Sequence, residues 1–210
     1  MQTIQKTYYR SIHQILEDLD SASSPQGVCN SIVEGITKAT GLKGCSLMLI
    51  TPDKKALFHS AAYGLSDWFV KKGPVIADKS ITETLEGKSV AILDGSTDDR
   101  VWYRKQIKEE GIASILSTPV TLKGNIIGVV RVYSSEAHQF TTDDISFVNM
   151  AASFGAAALE NAGYYDTLQK DYDTFSGSMR QMRSELDAEW GSEPDVELAV
   201  DKGPMIPVGG

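Results

Sequence analysis

The sequence predicts an α+β domain, with a central antiparallel sheet of about five or six strands, helices on one face and a cover of loops and short helices on the other. Three observations carry that expectation. Ile126, Ile127, Val129, Val130 and Val132 are apolar in both alternating registers, which suits a strand covered on both faces. A helix with a marked start follows that strand after a polar corner. Two pairs of strand-like runs are each separated by turn residues, Thr51-Pro52-Asp53-Lys54 and Lys123-Gly124.

Taken in order, Tyr8, Ile12, Ile15, Leu16 and Leu19 form an apolar stripe on an N-terminal helix that ends before the Ser-Ala-Ser-Ser-Pro stretch at 21–25. Pro25 opens a second helix, where a missing N–H costs nothing, and Val28, Ile32, Ile36 and Ala39 give it one face before Gly41 stops it. Cys45 to Ile50 and Leu57 to Tyr63 read as a hairpin. From Leu65 to Gly111 the pattern loosens: Trp68 and Phe69 fall in an ambiguous segment, Ile81 to Leu85 suggest a short helix and Val90 to Leu93 a short strand. The polar loop Asp94 to Arg100 leads into a helical stretch bearing Val101, Trp102, Tyr103 and Ile107. Ile115 to Leu122 and Asn125 to Tyr133 pair across Lys123-Gly124. Gly128 predicts a close approach to the strand, read as the small face of the following helix.

That helix is capped by Thr141 with Asp144 at the capping-box distance, flanked by Phe140 and Ile145 as a staple. Ile145, Val148, Ala152, Ala156 and Leu159 form its sheet-facing stripe, while Phe147, Met150 and Phe154 form a second stripe for a neighbouring helix or another subunit. Small residues at 151, 152 and 155–158 let the first face pack tightly. Beyond Asn161, a heptad seam of Tyr165, Leu168, Tyr172, Phe175, Met179, Met182 and Leu186 predicts a coiled-coil extension, interrupted at Ser176-Gly177-Ser178. The organisation expected is therefore a helix over 1–24, a domain over 25–161, a helical extension over 162–190 and a disordered tail over 191–210, rich in Gly and Pro.

The run I-x-G-V-V-R-V-Y-S from Ile126, the Thr141-capped helix ending L-E-N-A, and the upstream E-E-G-I-A-S-I-L-S-T-P-V from Glu109 resemble GAF domains over roughly Pro25 to Asn161. The resemblance implies a pocket on one sheet face, closed over by the 65–111 region, and a regulatory role. It does not name a ligand, since the fold hosts many activities. Reductases of free methionine sulfoxide in the family group cysteines near the pocket mouth, and this chain departs from that pattern. The pocket cysteine and Asp-Ile-Pro motif of bilin-binding members are not found, nor is the Asn/Lys/Phe/Asp/Glu set of cyclic-nucleotide binders.

Composition bounds the function. The 210 residues, 41% of them hydrophobic, can bury one sizeable core. A net charge of −8 argues against a nucleic-acid partner. No stretch reads as a signal peptide or bilayer span, so a cytoplasmic location without a membrane partner is expected. Cys29 and Cys45, in no metal or redox spacing, read as reduced core thiols, and His13, His59 and His138 are too scattered for a catalytic set. No catalytic or metal residues are assigned. Ligand contacts are expected from Trp68, Asp94, Asp98, Arg100, Tyr103, Ser117 and Arg131, the arginine standing alone in an apolar strand where it requires a carboxylate or an anionic ligand.

The expected function is a small-molecule sensor that forms a homodimer through its terminal helices and signals to a partner protein in trans. A dimerisation or interaction scaffold with a filled pocket is the second reading. A redox enzyme using Cys29 and Cys45 is the third.

Overall fold

The sheet is antiparallel throughout and has five strands: β1 (Gly44–Ile50), β2 (Leu57–Tyr63), β3 (Val90–Ile92), β4 (Ser114–Leu122) and β5 (Asn125–Ser134), in the spatial order β2-β1-β5-β4-β3. The computed structural model describes residues 2–50, 56–71, 75 and 79–190, with side chains for 7–50, 56–71, 75, 81–163, 178, 181, 182 and 184. The turn expected at Thr51 to Lys54, the tail at 191–210 and the seam side chains from Tyr165 to Leu186, Met182 apart, lie outside the described residues.

β5 is central and buried on both faces, as its double apolar register requires. It reaches β4 through a two-residue turn in which Lys123 (φ 49°) and Gly124 (φ 80°) are both left-handed, the conformation that matches the twist of a tight hairpin. Gly128 answers to β1 rather than to a helix. A Cβ there would lie 2.3 Å from the Met48 carbonyl oxygen, so the neighbouring strand's backbone, bulged at Leu47/Met48 against β2, is what demands glycine.

One sheet face carries α1 (Gln2–Asp20), α2 (Pro25–Thr40) and the part of α6 (Thr142–Trp190) up to Ala162. Ser24 caps α2, its hydroxyl accepting from the Gly27 amide, and Gly41 in the left-handed region closes it. Two close helix-to-helix contacts lie at glycines: a Cβ on Gly155 would stand 2.1 Å from Ile32 Cδ1, and one on Gly35 would stand 2.4 Å from Ile15 Cγ1. Ile15 and Leu19 are therefore buried within the domain, which covers part of the α1 stripe that the sequence reading left for a partner.

The other face is covered by α3 (Asp67–Val70), α4 (Lys79–Leu85) and α5 (Arg104–Glu109). Val101, Trp102 and Tyr103, expected within a helix, precede α5 instead. The chain divides into two compact units, Met1–Asp166 and Thr167–Gly210, the second described over residues 167–190 as helix.

Candidate functional site

The cover face of the sheet holds two separate apolar clusters. Phe69, Val90, Ile92, Val101, Ile107 and Ile115 pack with Tyr133, while Met48, Leu57, Val75 and Ile81 pack with Val129. On β5, Val130 and Val132 face the helices, so Val129, Arg131 and Tyr133 face the cover, and Arg131 falls between the two clusters.

Strand register sets polar groups around it. Ser46 of β1 and Ser117 of β4 stand opposite Arg131 on either side. The Arg131 Nε donates to Ser117 Oγ at 2.9 Å, and Ser46 Oγ lies 3.0 Å from the Tyr133 hydroxyl. Both serines are fully buried and Arg131 is 5% exposed. A small cavity opens over this row. Met48, His59, Arg131 and Tyr133 of the sheet line it, with Phe69, Val75, Tyr103 and Ile107 above. Phe69 meets Tyr133 edge-on at 5.9 Å between centroids and His59 at 6.4 Å. The free volume is about 10 Å³, room for about one water.

Of the residues expected at a ligand, Tyr103 and Arg131 line this cavity and Ser117 holds the arginine. The other four lie elsewhere. Trp68 is on α3 and 52% exposed. Asp94 turns back on its own loop, accepting from the Ser96 amide and hydroxyl, bonds that lower its pKa. Arg100 grips Asp98 with two bonds, Nε to Oδ1 at 2.9 Å and Nη2 to Oδ2 at 2.6 Å, which lowers the acid and raises the base. Ser46, Met48, Phe69, Val75, Ile107 and Tyr133 are not among the expected site residues, while His59, a strand residue that could face the pocket, does line it. Tyr133 was within reach of sequence reasoning, because it shares Arg131's face two residues on. Ser46 was not, because register between strands far apart in sequence leaves no local trace.

The two thiols lie on the helical side in the main core, both buried and unpaired with each other. Burial pushes Cys29 up to about 11 and Cys45 higher still, the opposite of what a thiolate nucleophile needs. No group of three or more His, Cys, Asp or Glu side chains suited to a metal ion occurs among the described residues, and no helix among them is long and apolar enough to cross a membrane.

A family model described as GAF domain matches residues 22–160. Among solved structures, the GAF domain of a phosphoenolpyruvate-protein phosphotransferase from Coxiella burnetii superposes with a TM-score of 0.70 at 18% identity, covering 78% of this chain and 98% of that one. Residues 122 to 287 of a methyl-accepting chemotaxis protein give 0.61 at 18% identity over 72% and 98% of the two chains. The free methionine-R-sulfoxide reductase from Neisseria meningitidis, solved with its substrate, gives 0.64 at 14% identity over 75% and 91%. At such identities the likeness is one of fold. No curated protein matches the chain.

Proposed function

The chain belongs to the GAF domain family, and we propose that it is a regulatory sensor that takes a small molecule into the cavity over Arg131. The family is one of signalling and sensing modules. The observation that carries the proposal is the buried polar row of Ser46, Arg131, Ser117 and Tyr133 between two apolar clusters. Burying a guanidinium costs several kcal/mol before its hydrogen bonds offset it, and a sheet face with only packing to do is served as well or better by apolar side chains. The ligand class that uses this row is a small molecule with an anionic or strongly accepting group directed at Arg131.

The reading includes a cytoplasmic homodimer, associated through α1 and α6, which passes the signal to a partner protein in trans. Tyr9, Leu16, Met150 and Phe154 are exposed on these helices and supply the apolar surface for it. Catalysis is not part of the proposal, because neither thiol has the setting of a reactive one. The free volume of about 10 Å³ favours the second reading, a scaffold whose pocket is filled by its own side chains.

Native mass spectrometry of the purified protein separates the two readings, since it reports dimer mass and any co-purified small molecule together. With a ligand in hand, Arg131→Ala should weaken binding tenfold to a hundredfold, the loss of a charge-assisted contact worth about 1.5–3 kcal/mol. Unchanged affinity in a folded Arg131→Ala variant would reject the anionic assignment. A pocket that stays empty across ligand screens leaves the scaffold.

A further inference from the structure

A cavity with room for about one water admits a ligand only if part of its wall moves, and the packing of the wall identifies which part. α5 is anchored by Ile107, with Val101 and Ile112 buried on either side, and α4 buries Ile81 and Thr84 completely. α3 buries one side chain, Phe69. Its Trp68 is exposed, and Asp67 and Lys71 pair with each other in solvent.

Among the described residues, besides Phe69, the polar hold on the start of α3 is at Ser66, and past its end Val75 exchanges two backbone hydrogen bonds with Leu57. The Ser66 amide donates to Glu110 Oε1 at 2.9 Å and the Ser66 hydroxyl to Oε2 at 2.5 Å. The same hydroxyl caps α3 by accepting from the Phe69 amide at 3.2 Å. Glu110, with a side chain only 5% exposed and Lys43 Nζ 3.8 Å away, thus grips the helix start from the far end of α5, 44 residues on. On the other side of Ser66 the chain turns through Gly64 in the left-handed region (φ 74°), where a Cβ would meet the Lys43 carbonyl oxygen at 2.2 Å. That position is seated firmly on the sheet edge.

We propose that α3 is a door on the cavity, pivoting at Gly64, with Phe69 as its plug and the Ser66–Glu110 pair as its latch. Withdrawing Phe69 vacates the wall over Tyr133 and His59, the side of the cavity that holds the polar row. The inference rests on the reading of the cavity as a ligand site, but the latch itself is testable with no ligand present.

The experiment is hydrogen exchange on the full chain, comparing wild type with Glu110→Gln and Ser66→Ala and using β5 amides as the internal reference. Both variants should speed exchange at the Phe69 and Val70 amides by on the order of tenfold or more while β5 stays within about twofold, the signature of local opening. If exchange in α3 is unchanged in both variants, the latch is rejected. If β5 accelerates in step with α3, Glu110 supports the whole fold and the door is rejected as well. Native mass spectrometry of wild type tests the ligand reading separately, so failure of one is distinguishable from failure of the other.

Discussion

The hydroxyl of Tyr8 donates to Asp144 Oδ1 at 2.5 Å, joining α1 to the first turn of α6 across 136 residues of sequence. The Tyr8 ring stacks on Phe147 at 4.4 Å between centroids. Asp144 Oδ2 meanwhile accepts from the Thr141 amide and hydroxyl, completing the capping box, and lies 3.8 Å from His138 Nε2. The His138 amide donates to Ser114 Oγ, which donates in turn to the Leu93 carbonyl at the entrance to the Asp94 loop. One run of contacts therefore extends from the terminal helices to the edge of the cover.

Tyr8→Phe keeps the stack and removes the bond, so it should cost about 1.5 kcal/mol in urea unfolding. Asp144→Ala, which also removes the cap, should cost about 2 kcal/mol. The two losses should not add, because they share one bond. Strict additivity would mean that the contact contributes nothing.

The same pair sets two pH dependences. Burial pushes Asp144 up, but the bonds from Tyr8 and Thr141, with His138 beside it, prevail and hold the carboxyl below its ordinary value. Its contribution is thus present above the ordinary carboxylate pKa of about 4 and lost as pH falls through the lower folded value. Tyr8 is raised, first by burial and then by Asp144, so its contribution is full below about pH 10 and lost as pH rises toward its folded value. The stability gap between wild type and Asp144→Asn should therefore narrow in acid, as measured by urea unfolding from pH 7 to 3. A gap that widens in acid would contradict the assignment.

Gly155→Ala gains helix propensity yet drives a methyl into Ile32, and overpacking of this kind costs about 1–3 kcal/mol. Thermal unfolding should show a net loss. Adding Ile32→Val, which removes the nearer clashing atom, should recover part of it. A neutral Gly155→Ala would mean that α2 and α6 separate freely.

Paired Leu16→Glu and Phe154→Glu substitutions fall on exposed positions of α1 and α6, so they should dissociate the proposed dimer without unfolding it. Ending the chain after Asn161 should weaken association too. Dimers of unchanged affinity in sedimentation would move the interface elsewhere.

Cys29 and Cys45 should react with a thiol reagent at least about a hundredfold more slowly in the native protein than in urea, given their burial and raised pKa values. Rapid native labelling of either thiol would reopen the redox reading.

The strands, the Lys123-Gly124 turn, the helix boundaries marked by Pro25, Gly41 and Thr141 and the inward stripe of α6 were all legible in the sequence, because each depends on neighbours within a few residues. The site was legible only in part. Arg131 announced itself as a charge in an apolar strand and Ser117 came with it, but in the loop Asp94 is satisfied by Ser96 and Asp98 by Arg100 at the cover's edge. A polar loop composition looks the same whether its groups face a ligand or each other.

By itself, then, the sequence determined most of the strands and helices and which residues share a face, because backbone period and capping chemistry act locally, but it left α3 ambiguous and started α5 too early. Tertiary structure alone decided that β1 brings Ser46 beside Arg131, that Glu110 reaches Ser66, that Gly128 yields to Met48 rather than to a helix, and that Phe69 leaves a cavity of about 10 Å³. Those outcomes depend on strand order and on how side chains from distant segments fill a shared volume, and period-two or period-3.6 patterns carry no information about either.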